Sequence, residues 1–117
     1  MTTTFQEISV QTLAEKMAIA KELDQDLQLI DVREPQEIEI CSIDGFKVLS
    51  LSKFEEWSPT ITQDFDPTMP TYVLCHHGMR SAQMCQWLQQ NGFTNPINIM
   101  GGIDAYSLSV DRSVPRY

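Results

Sequence analysis

The chain has 117 residues, 16 Asp and Glu against 8 Lys and Arg, a formal net charge of -8, and 3 cysteines; that length fits one domain over residues 1–117, able to bury roughly two-thirds of the surface its unfolded form exposes. The acidity argues against nucleic acid or a membrane surface as partner, since both demand a basic footprint, and no apolar run nears the roughly 18 residues of a membrane span. An odd cysteine count without zinc-ligand spacing argues against a disulfide scaffold, and Met1-Thr2-Thr3-Thr4 has no signal-peptide pattern, so a reducing cytoplasm is the expected compartment.

After the Thr-rich start, residues 5–10 predict a short strand. Leu13, Met17, Ala20 and Leu23 recur at helical spacing and predict a helix over 11–23, with Ser9 or Thr12 as its cap. Residues 27–32 read as a strand, and Pro35 suits the first turn of a short helix through Glu37 and Ile40. Asp44-Gly45 marks a turn before a strand over 47–51, then a brief helix over 53–57 and a loop-like stretch over 58–70. Residues 71–74 form the next predicted strand. The clearest helix covers 81–91, with Met84, Cys85 and Leu88 on one face, Asn91-Gly92 as its stop and Phe93 folding back on it. A last strand covers 97–100, and Gly101-Gly102 turns the chain into a short segment over 103–108 before a polar tail ending at Tyr117. Alternating strands and helices predict an α/β fold, an open and mostly parallel sheet with helices on both faces. Ligands of such sheets bind outside the carboxyl ends of the strands.

The run Tyr72-Val73-Leu74-Cys75-His76-His77-Gly78-Met79-Arg80-Ser81 concentrates the chemistry. Strand formers carry Cys75 to a strand's carboxyl end. The loop's backbone N–H groups and the first amides of the next helix can then gather around its sulfur. Arg80 and the helix dipole favour thiolate over thiol, which makes a cysteine reactive near neutral pH. A lone cysteine is most often a packing residue; the strand-to-helix crossing makes Cys75 a candidate nucleophile. Arg80 sits where the dipole is already positive, a poor place for a cation unless it serves a ligand. Gly78 answers a need for unusual backbone angles or close approach to a ligand. His76 and His77 line the cup as donors; three consecutive residues seldom converge on one metal, so no metal site is expected. Asp31 and Arg33 end their strand on the same edge and read as a pair bracing the loops, with Glu34 or Glu37 as further partners. Cys41 and Cys85 read as packing residues, Cys85 on the core face of its helix.

These residues resemble the rhodanese family of sulfurtransferases over nearly the whole chain. Leu29-Ile30-Asp31-Val32-Arg33-Glu34 looks like the family's first signature and Cys75 to Ser81 like its active loop. Asn91-Gly92-Phe93 and Met100-Gly101-Gly102-Ile103-Asp104-Ala105-Tyr106 look like its closing segments. The resemblance implies a rhodanese-like open sheet of about five strands. It also implies that Cys75 carries sulfur as a persulfide from a small-molecule or protein donor to a thiophilic acceptor, cyanide in an assay or a thiol in a cell, with no cofactor. His76, His77, Gly78, Met79, Arg80 and Ser81 then bind the substrate. Phosphatases and arsenate reductases of similar fold have one more residue between cysteine and arginine. The four here, His76 to Met79, make a cup sized for sulfur. The alternative from another class is a sulfur-carrier or binding module without turnover. Two departures stand out: Cys41-Ser42-Ile43-Asp44-Gly45 replaces the common Gly-His-Ile-Pro-Gly, and Arg80 is the loop's only permanent cation. The second departure favours a persulfide or protein donor over thiosulfate.

Overall fold

A computed structural model describes residues 5–117; Met1 to Thr4, and the expectation of a Thr-rich start, lie outside them. Five strands, β1 (Gln6–Ile8), β2 (Gln28–Asp31), β3 (Lys47–Val48), β4 (Thr71–Leu74) and β5 (Pro96–Ile99), form one sheet in the order β1-β5-β4-β2-β3. Every neighbouring pair is parallel. Parallel neighbours need crossover connections. These carry the helices α1 (Val10–Glu22), α2 (Pro35–Ile40), α3 (Phe54–Trp57), α4 (Ile61–Asp64) and α5 (Met79–Gln90); α6 (Gly102–Ser109) follows β5.

The two-residue period of the strands sorts side chains onto two buried faces. Ile30, Val32, Val73 and Cys75 meet Trp57, Ile61, Phe65 and the Met84, Cys85 and Leu88 face of α5. Leu29, Tyr72, Leu74, Ile97 and Ile99 meet Val10 and Leu13 of α1 and Ile103 of α6. The helices therefore cover both sides of the sheet, and Cys75 continues the α5 face one residue beyond β4. Phe93 folds back as expected, buried, with its N–H donating to the Leu88 carbonyl at 3.0 Å.

Local chemistry sets the helix starts. Of the two candidate caps for α1, Ser9 is the one, its hydroxyl accepting from the Thr12 N–H at 3.1 Å. In α2, Pro35 stands in the first turn, and the side chains of Glu34 and Glu37 each accept from the other's backbone N–H in a capping box.

Two expectations are corrected. The strand over 47–51 ends after Val48, where the chain turns into a 3-10 turn over Leu51–Lys53. The divergence is held by Ser50, whose hydroxyl donates to the Arg33 carbonyl at 2.7 Å and whose carbonyl accepts from Trp57 Nε1 at 2.8 Å. The stretch over 58–70 is not all loop, since a 3-10 turn over Ser58–Thr60 and helix α4 lie within it. Trp57, Ile61 and Phe65, spaced four apart, are buried together beneath the sheet, a helical period that the prolines masked.

Candidate active site

β4 delivers Cys75 at its carboxyl end with the side chain 1% exposed, so the sulfur meets only what enters the loop. Gly78 bends that loop back. Its φ of 101° lies in the left-handed region, and its N–H donates to Cys75 Sγ at 3.0 Å. A Cβ here would be strained and would press to 3.1 Å from the Gly101 nitrogen. Two loop carbonyls are taken up by α6: Cys75 O accepts from the Ile103 N–H at 2.9 Å and His76 O from the Asp104 N–H at 3.2 Å. The first turn of α6 thus grips the loop from beneath through amides that a helix otherwise leaves unpaired.

Behind the sulfur stands a buried polar chain. Ser81 Oγ lies 3.3 Å from Cys75 Sγ and donates to Asn98 Oδ1 at 2.5 Å. Asn98 Nδ2 donates to Glu7 Oε2 at 2.9 Å and to the Gly78 carbonyl at 3.1 Å. Both of those partners are acceptors, which fixes the amide's orientation. Oδ1 must face Ser81 and take its hydrogen. Ser81 then turns its lone pairs, not its hydrogen, toward Cys75 Sγ.

The permanent charges near the loop come as pairs. Arg33, fully buried, donates to Asp31 Oδ2 from Nη2 at 2.8 Å and to the Cys41 carbonyl at 2.9 Å. Burial opposes its charge, but hydrogen bonds from its guanidinium to Asp31 and to the Tyr117 hydroxyl hold its pKa above the ordinary value. Arg80 donates from Nη1 to Glu37 Oε1 at 2.6 Å and from Nη2 to Glu37 Oε2 at 2.9 Å. That hydrogen-bonded pairing draws Glu37 down to about 2 and raises Arg80, with the nearby Cys75 adding a smaller Coulombic contribution to the latter. Of the two further partners expected for the pair of Asp31 and Arg33, Glu37 is one and Glu34 is not. Glu37 meets Arg33 through its backbone carbonyl at 3.3 Å, while the Glu34 carboxylate turns to Ser52.

A family model described as Rhodanese-like domain matches residues 11–109. The chain belongs to the rhodanese family. It is 51% identical over 111 residues to "Rhodanese-like/PpiC domain-containing protein 12, chloroplastic" of Arabidopsis thaliana; the match covers 95% of this chain but 37% of that protein, little more than a third of its length. With "Putative sulfurtransferase YtwF" of Bacillus subtilis it shares 35% over 101 residues, covering 86% of this chain and 88% of that one. A rhodanese-like domain protein from Staphylococcus aureus superposes with a TM-score of 0.75 over 97% of this chain and 99% of its own, at 23% identity. This last likeness shows the shared fold.

In this rhodanese domain the loop residues have different settings. Gly78 and Ser81 touch the sulfur, and Arg80 is half turned to solvent and held by Glu37. The Met79 side chain is 77% exposed, so only its backbone belongs to the cup. The His76 ring lies between those of His77 and Tyr117, stacked on the latter at 3.9 Å and 6°, and its Nε2 donates to the Tyr117 carbonyl at 3.0 Å. Burial, then the neighbouring His77, pushes its pKa below the ordinary imidazole value. His77 is more open, its Nδ1 3.9 Å from Asp104 Oδ2. Cys85 is a core residue whose thiol burial pushes up to about 12, and all three cysteines are free. Among the described residues no helix is long and apolar enough to cross a membrane.

Three neighbours of the loop escaped the sequence reading. Tyr117, placed in the polar tail, covers His76 and donates from its hydroxyl to Glu37 Oε2 at 2.6 Å. Glu37 entered only as a partner for Arg33. Asn98 stood between Ile97 and Ile99 in a strand buried at every position, and a polar residue there was the available signal, because buried amides are retained with their partners.

Proposed function

We propose that this rhodanese domain, functioning as one unit over residues 1–117, is a sulfurtransferase that moves sulfane sulfur through a persulfide on Cys75. One contact carries this assignment: the Gly78 N–H aimed at Cys75 Sγ at 3.0 Å, a fixed donor where negative charge on sulfur must be held. The Cys75 thiolate attacks the outer sulfur of thiosulfate or of a persulfide. The new Sγ–S bond forms as the donor's S–S bond breaks, and the electron pair leaves on sulfite or on the donor thiolate. Backbone amides from His76 to Ser81 hold the outer sulfur of the Cys75 persulfide. An acceptor, cyanide in an assay or a thiol or protein in a cell, then takes that sulfur and returns the thiolate. Asp31 and Arg33 brace the loop at its side, and the chemistry calls for no cofactor.

The four-residue spacing from Cys75 to Arg80 supports sulfur rather than phosphate or arsenate as the group held. Three free thiols suit a reducing compartment, and the cytoplasm is the one proposed. The pairing of Arg80 with Glu37 favours a second reading, a sulfur-carrier module that loads and delivers without rapid small-molecule turnover. Mass spectrometry after incubation with thiosulfate, glutathione persulfide or a cysteine-desulfurase donor tests both. A one-sulfur adduct is expected on the native chain and none on the nearly isosteric Cys75→Ser. Loading that persists on that variant refutes the assignment. Fast steady-state transfer to cyanide marks the enzyme, and an adduct with negligible turnover marks the carrier.

A further inference from the structure

Arg80, in the first turn of α5, is the permanent cation beside the Cys75 loop, and its charge is already matched. Glu37 meets it with both carboxylate oxygens, at 2.6 and 2.9 Å, and the Tyr117 hydroxyl donates to the same carboxylate at 2.6 Å, which fixes the pair from a second side. The other permanent cations near the loop are matched in the same way, Arg33 by Asp31 and Arg116 by Asp104 at 2.9 Å. With Glu37 held at about 2 by its hydrogen bonds to Arg80, the carboxylate stays charged at neutral pH. His76, lowered by burial, supplies little positive charge there.

We infer that Glu37 determines donor choice: by neutralising Arg80 it disfavours dianionic sulfur donors and leaves the site to alkyl persulfides. The inference rests on the persulfide reading above. Thiosulfate brings two negative charges to a chain of net charge -8. When the thiolate takes its outer sulfur, the electron pair departs on a sulfite that is still a dianion. An alkyl persulfide brings at most one charge at its reacting sulfurs, the carboxylates and ammonium of glutathione persulfide lying on arms away from them, and the S–S cleavage releases a single thiolate there. A fixed carboxylate beside the guanidinium therefore penalises the thiosulfate route more at both entry and departure. The remaining attraction for an anion is that of backbone amides, which a monoanionic persulfide also satisfies.

The side chain allows a clean test. Glu37 also accepts from the Glu34 N–H at 3.0 Å in the α2 capping box, a bond that glutamine preserves. Glu37→Gln thus removes the charge without removing the cap. Second-order rate constants for sulfur loading, followed by mass spectrometry, are compared for thiosulfate and glutathione persulfide. The thiosulfate-to-persulfide ratio is expected to rise about tenfold in Glu37→Gln, less at high salt. In Glu37→Gln/Arg80→Ala that gain should vanish, and Arg80→Ala alone should lower the ratio. An unmoved ratio in Glu37→Gln, a gain that survives loss of Arg80, or an unmoved ratio in Arg80→Ala overturns the inference while the persulfide reading stands. Failure of the native chain to load from either donor overturns both.

Discussion

Gly102→Ala tests whether α6 holds the active loop in shape. Gly102 has a φ of 61°, and a Cβ built on it overlaps the carbonyl oxygens of Cys75 and His76. An alanine in the left-handed region costs about 1 to 2 kcal/mol. Backbone oxygens cannot swing aside as a flexible side chain would, so the start of α6 must retreat. The bonds Ile103 N to Cys75 O at 2.9 Å and Asp104 N to His76 O at 3.2 Å go with it, each contributing about 1 kcal/mol. The expected loss is about 3 to 4 kcal/mol in urea unfolding, a large part of the stability of a domain this size. Sulfur loading of the variant, measured well below its unfolding midpoint, should fall as well, because the Gly78 amide no longer has a fixed aim at the sulfur. A loss below about 1 kcal/mol with normal loading would refute the view that α6 shapes the loop.

Asn98→Ala removes the acceptor that engages the Ser81 hydrogen and leaves the Gly78 carbonyl short of a donor, so it should destabilise by about 2 kcal/mol. With its hydrogen released toward Cys75 Sγ, Ser81 should speed iodoacetamide alkylation at pH 7 by a few-fold; slower alkylation, or equal acceleration in a Ser81→Ala background, contradicts the proposed orientation. Stability should also depend on acid through Glu37, whose pKa drops from 4.5 to about 2 on folding. A lowered carboxylate stabilises the fold fully above its unfolded value, and that contribution disappears as pH falls from about 4.5 toward 2. It amounts to on the order of 2 kcal/mol after allowance for the partial exposure of Arg80. Urea midpoints should therefore fall less steeply over this range in Glu37→Gln, and parallel profiles would remove Glu37 from the account.

What was legible in the sequence is what short-range rules govern. The alternation of apolar runs with helical periods carried the strand order along the chain and the two-faced cover of the sheet, while Pro35 and Ser9 marked their helix starts. Cys75 and Gly78 could be read together because strand, turn and helix follow within a few residues. The misses are contacts between residues distant in sequence. Glu37 and Arg80 lie 43 positions apart, Asn98 and Glu7 91, and Tyr117 and Glu37 80. Charge at Arg80 was legible, but its neutralisation was not, since nothing local in the sequence selects one of sixteen acidic residues to meet it. Ile61 and Phe65, which join the predicted helix residue Trp57 under the sheet, were missed for another reason. Their helical period runs through a segment rich in turn formers, and burial under the sheet overrode local preference.

The two glycine-led helices at this site divide the work of their amino termini. α1 begins with Ser9, whose hydroxyl takes up the Thr12 amide. α5 and α6 begin after Gly78 and Gly101, which bring no side-chain acceptor. In α6 the amides of Ile103 and Asp104 go to the Cys75 and His76 carbonyls, which holds those two peptides in place. α5 is left with donors that no capping side chain occupies, beside the Gly78 N–H already on Cys75 Sγ. A serine or aspartate at position 78 would suit an ordinary helix start, yet it would fill those donors with its own oxygen and could not adopt φ 101° without strain. The absent cap thus leaves open the amides that the proposed persulfide on Cys75 would use, whereas stabilising α5 in the usual way would occupy them.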